Sequence, residues 1–175
     1  MGLLVFLARK HSVLSSINDV EYKMTQLNRK LQDLQQYSAN ISDGKVSMSD
    51  MMNTPGSMFG RQMMFMQYSH NASIMGAQQQ YQMMQPMIQM QMQQMQDANS
   101  QAMYQQWAFQ NLYEQQRQQA AKQEEKLLNQ QEKEIQQEIT KLQAQEKMLS
   151  NELEAIKQAE NSAYERLKPN YTGVG

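Results

Sequence analysis

With 175 residues, 40% of them hydrophobic, and a mean hydropathy of -0.80, the chain lacks the apolar content of a thick globular core. Its net charge of -1, without a long run of either sign, removes the electrostatic case for binding nucleic acid or an anionic membrane. Zero cysteines exclude a disulfide framework, a thiolate metal site and a cysteine nucleophile.

Three prolines and seven glycines leave little punctuation for a turn-rich β fold. The 32 glutamines and 18 methionines favour helix, because neither residue is branched at Cβ. The expected fold is therefore all-α: an elongated antiparallel helical hairpin or coiled coil with a Met/Gln-rich helical middle region. The lack of cysteine favours the cytoplasm, and it also suits a chain secreted without a leader or assembled at a surface.

Residues 1–41 come first. Gly2 to Ala8 is an apolar run followed by Arg9, Lys10 and His11. It is far shorter than the roughly 20 residues that span a bilayer. Its basic residues follow the apolar stretch, the reverse of a signal peptide. Phe6 occupies the hydroxyl position of the myristoylation pattern. A first helical turn that packs against something is expected instead. Steps of three and four then pick out Leu3, Phe6, Lys10, Val13, Ile17, Val20, Met24, Leu27, Leu31, Leu34, Ser38 and Ile41, a narrow apolar stripe of the coiled-coil type. Asp43-Gly44 supplies the stop. A helix of about 35 residues, roughly 50 Å long, needs a partner for that stripe.

Residues 42–76 read as a loop with short helices. Ser47-Met-Ser-Asp50 has the form of a capping box, and Asn53-Thr-Pro-Gly56 that of a turn. Met58, Phe65, Tyr68, Ala72 and Met75 mark a helical face, and Gly76 a break or kink. Residues 77–111 form a Met/Gln-rich helical segment, with Tyr81, Met84, Ile88, Met95, Ala98, Ala102, Phe109 and Leu112 at helical spacing. Trp107 among Tyr104, Phe109 and Tyr113 has the look of a packing or docking cluster. Pro86 suits a helix start, so the last helix is expected to begin there, with a hinge near Gln115–Gln123 as the alternative.

Residues 112–168 carry a charged helix. Ala121, Leu128, Ile135, Leu142, Leu149, Ile156 and Ala163 recur every seventh residue. Their companions are Glu125, Glu132, Ile139, Glu146, Leu153, Glu160 and Leu167, so the seam is half filled. The glutamates either lay their stems along the edge of the interface or restrict register and partner number. Pro169 ends the helix, and residues 169–175 read as a flexible tail. The expected packing folds residues 3–41 back, antiparallel, onto this helix. The methionine-rich stretch then projects as a second hairpin or tip.

Nothing in the sequence converges on catalysis. His11 and His70 stand far apart, and no metalloprotease, nucleophile-elbow or phosphate-loop motif occurs. No cofactor and no catalytic residue is expected. The interface residues expected are Val13, Ile17, Val20, Met24, Leu27, Leu31, Leu34 and Ile41 on the first stripe. On the second they are Leu128, Ile135, Ile139, Leu142, Leu149, Leu153, Ile156 and Leu167. With a heptad helix at each end around a variable centre, the layout is similar in outline to flagellin-like and secretion-needle-like subunits, which implies assembly of copies.

The function expected is that of a non-enzymatic structural or assembly protein, a homo-oligomer or a chain docked on another helical protein. It carries no transmembrane span and binds no nucleic acid. Two alternatives rest on methionine. One is an adaptor or chaperone whose adaptable thioethers hold apolar helices. The other is Cu(I) or Ag(I) sequestration through Met-x-x-Met pairs, with Met84, Met87, Met90, Met92 and Met95 as the soft ligands.

Overall fold

From Leu3 onward, no proline or glycine interrupts the first stripe until Gly44, and one helix, α1, runs from Leu3 to Ile41. The computed structural model describes residues 3–42, 46–95 and 97–167, the side chains of Leu3 and Leu167 excepted. Gly44, Pro169, residues 169–175 and the Leu167 side chain lie outside the described residues. Within them the chain is four helices and no strand: α1, α2 (Met48–Met52), α3 (Gly56–Gln93) and α4 (Ala98–Leu167). The all-α helical hairpin expected from composition is the fold found, with α4 packing against both α1 and α3.

Two units divide these helices at Lys30/Leu31 and Lys133/Glu134. The first joins the early part of α1 to the end of α4. Val13 and Val20 are buried on α1, and Ile135, Ile139 and Ile156 on α4. Phe6, Ile17, Met24, Leu27, Leu142, Leu149 and Leu153 are half-buried. The polar interruptions of the two stripes meet: Lys10 Nζ lies 3.1 Å from Glu160 Oε2. Arg9 Nε donates to Glu152 Oε1 at 2.7 Å on the exposed side, where such a pair adds little. Glu125, Glu132, Glu146 and Glu160 are all half-buried, as stems lying along an interface edge would be. The first apolar turn departs from expectation. Leu4 is 80% exposed, and Val5 and Leu7 also face water, because these three fall off the stripe.

The second unit gathers the end of α1, α2, α3 and the first half of α4. The capping box closes α2, with the Ser47 amide donating to Asp50 Oδ2 at 2.8 Å and the Asp50 amide to Ser47 Oγ at 3.1 Å. The Ser47 hydroxyl also donates to Asp50 Oδ2 at 2.6 Å, and this bond, followed by that from the Ser47 amide, holds the Asp50 carboxyl below its ordinary value of 3.8. Their contribution to α2 is present above that pH and fades as pH falls below it. A titration following the Ser47 amide by NMR shows the change in that acid range, and Ser47→Ala abolishes it. A Ser47 shift unchanged down to pH 2 contradicts the box.

Helix α3 overrides two breaks expected in its sequence. It passes through Gly76 and Pro86 without ending, so residues 42–76 and 77–111 are not separate segments. Pro86 forfeits one helical bond, but packing of Ile88 and Ala77 on the buried face offsets that loss. Helix α4 accordingly starts at Ala98 rather than Pro86, and it continues through Gln115–Gln123 without a hinge. Asp97 opens it, accepting from the Asn99 and Gln101 amides through its side chain and carbonyl. Between the helices, Gln101 Nε2 donates to the carbonyls of Met92 and Met95, which closes an antiparallel α3–α4 hairpin. Tyr81 meets Phe109 edge to face, and Gln116 donates to Gln80 at 3.1 Å.

The inward face of α3 combines large residues at its two ends with small ones, Ser69, Ser73 and Ala77, in the middle. Gln62, Phe65, Ser69, Ser73, Ala77 and Ile88 are the buried residues. Of the expected face, Phe65 is buried and Met58 and Ala72 half-buried, but Tyr68 and Met75 point to solvent. At Gly76 the Gln116 side chain takes the space of a side chain: a Cβ there would sit 2.9 Å from Gln116 Oε1. Removing that obstacle gives a test. In a Gln116→Ala background, Gly76→Ala is expected to raise stability by about 1 kcal/mol through helix propensity. A loss measured by chemical denaturation would show that other atoms crowd the glycine.

Candidate protein-interaction surface

With Ser69, Ser73 and Ala77 turned inward, a row of larger side chains on α3 faces outward. Counting along α3, Met64, Tyr68 and Ala72 are followed by Met75, Gln79 and Met83, then Pro86 and Met90. The steps are four, four and three, an 11-residue repeat that keeps one face of a nearly straight helix. Met64, Tyr68, Met75, Met83 and Met90 are between 66% and 71% exposed, which is high for residues of this size. Between Arg61 and Asp97 no Asp, Glu, Lys or Arg occurs. Met64, Gln67, Tyr68, Asn71, Ala72 and Met75 outline a shallow trough of about 410 Å³ along the row.

Three further features belong to the same unit. Tyr37 is wholly buried and its hydroxyl donates to Glu124 Oε1 at 3.3 Å. Arg61 Nε donates to the same oxygen at 2.6 Å, and its guanidinium stacks 5.7 Å from the Tyr37 ring centre. Burial, reinforced by the Glu124 charge, pushes the Tyr37 hydroxyl well above its ordinary value and keeps it a neutral donor. The three side chains thus tie α1, α3 and α4 together with a polar cluster. Trp107 stacks on Tyr104 at 5.7 Å and lines a groove of about 310 Å³ with Met84, Ile88 and Leu112. On the other side, His70 Nδ1 pairs with the Tyr113 hydroxyl at 2.7 Å, and Met63, Met64, Met66, His70 and Arg117 line a cavity of about 570 Å³.

The described residues singled out by the two stripes are buried or half-buried. Leu34, Ile41 and Leu128 join Val13, Val20, Ile135, Ile139 and Ile156 as buried, and Leu31 is half-buried. These buried residues pack the helices of one chain against each other. The five soft-ligand candidates are spread over different surroundings. Met84 lines the Trp107 groove, Met87 and Met90 stand in solvent, and Met95 lies past the end of α3. Among the described residues no group of three or more His, Asp or Glu side chains could hold a metal ion. None of their helices is long and apolar enough to cross a membrane.

Sequence reading missed both the outward row and Tyr37. The 4-4-3 spacing was present, but apolar spacing alone does not say whether a stripe faces in or out. Ser69, Ser73 and Ala77, four residues apart, carried the needed signal: small side chains in register mark the close approach. Comparison with known proteins finds no match to any family model, curated protein or solved structure.

Proposed function

We propose that this chain is a non-enzymatic structural protein that acts by helix–helix self-association. One observation carries the reading: α3 turns a charge-free row of methionine and tyrosine to solvent. An exposed apolar stripe along several helical turns is costly to leave in water, and association removes it. The clusters with unusual polar chemistry support this reading by their roles. Tyr37, Glu124 and Arg61 satisfy one another across three helices. Light scattering on the purified chain over a range of concentrations is expected to give masses that are multiples of 20.4 kDa. A constant monomer mass refutes self-association.

A soft-metal reading is favoured by a different place from that suggested by the methionine spacing. Met63, Met66 and His70 follow at i, i+3 and i+7 on α3 and line one cavity. The Tyr113 hydroxyl engages His70 Nδ1, leaving the other ring nitrogen as the ligand atom. Titration with Cu(I) against a competing chelator tests it, and affinity no better than that of free methionine rejects it.

A further inference from the structure

We infer that α3 pairs with α3 of a second copy of this chain, antiparallel, about a two-fold axis beside Ala77. The inference rests on the self-association proposed above and specifies the face that performs it. A two-fold contact requires a surface complementary to itself, in which residue i meets j and j meets i. The 11-residue row has that property. Reversed about position 77, Met64 falls opposite Met90, Tyr68 opposite Pro86, Ala72 opposite Gln82–Met83 and Met75 opposite Gln79. The partner's Met83 then enters the trough beside Tyr68 and Ala72, a knob into a hole, and the reciprocal contact forms on the other side of the axis.

Charge and area both favour a second copy. A face without Asp, Glu, Lys or Arg meets its own image with no like-charge repulsion and buries no unpaired ion. A partner helix with an ordinary charged surface would bury its charges against methionine. Gln67, Gln78, Gln82 and Gln89 stand exposed beside the row. Each amide is both donor and acceptor, so two identical rims can satisfy each other. Five large side chains, about 200 Å² each and two-thirds exposed, offer on the order of 700 Å² per chain. A standard interface buries about 800 Å² per partner, so the row and its glutamines suffice for a stable pair.

The chain has no cysteine, so spin labels can be placed singly on the full-length protein at Met64→Cys, Gln79→Cys and Met90→Cys. Circular dichroism of each labelled chain confirms the helix content, and light scattering gives its mass. In the antiparallel pair the two Gln79 positions differ by only about 6 Å along the helices, and the two Met64 positions by about 39 Å. Pulsed dipolar spectroscopy should therefore give a short distance at position 79 and long ones at 64 and 90. Short distances at all three positions mean a parallel pair and overturn the register. An oligomer by mass with no short distance at 79 overturns this face while leaving self-association standing. A labelled and an unlabelled chain that both stay monomeric overturn self-association itself and assign the face to a different protein.

Discussion

Tyr37→Ala is expected to lower the unfolding free energy of the second unit by about 3–5 kcal/mol, the range for deleting a fully buried aromatic ring. The ring has no exposure and fills the space where the end of α1 meets α3 and α4. Its loss also removes the surface on which the Arg61 guanidinium stacks and a donor to Glu124. Tyr37→Phe separates the two effects. It keeps the ring and deletes one hydrogen bond, so a loss of about 0.5–1.5 kcal/mol is expected. Urea unfolding followed by the single tryptophan, Trp107, reads out this unit directly. Equal losses for the two variants would mean that the hydroxyl, not the packing, holds the three helices.

Leu128→Ala carries the second large effect, about 2–5 kcal/mol, while Leu127→Ala stays within about 0.5 kcal/mol of the parent. The two leucines are neighbours in sequence with equal transfer energies and equal helix propensities. Leu128 has no exposure and Leu127 is 53% exposed. The 3-4 pattern alone separates them, since one lies on the α4 seam and the other a hundred degrees away. Comparable losses at both positions, measured under the same denaturant conditions, would show that Leu127 is covered by another chain.

Much of the fold was legible because it depends on local rules. The stripe from Phe6 to Ile41 is sustained by a 3-4 repeat with no breaker, and every described position on it is buried or half-buried. The Ser47–Asp50 box likewise needs only residues three apart. Gly76 and Pro86 misled because a break signal states a local cost, and hairpin packing exceeds it. Tyr37 escaped notice because a step from Leu34 to Ile41 can pass through either position 37 or 38, and the spacing pattern does not choose between them.

The outward row returns the question to what chain order can determine. By itself the sequence determined helix, the two heptad stripes and the uncharged middle. These follow from propensity, periodicity and composition, each a property of residues near one another in the chain. Only the tertiary structure decided which side of α3 faces α4. That choice depends on how closely two helices can approach, and small side chains permit a closer approach than methionines do. Ser69, Ser73 and Ala77 went inside in the middle of α3, and a row of larger side chains was left at the surface, where a second chain can use it.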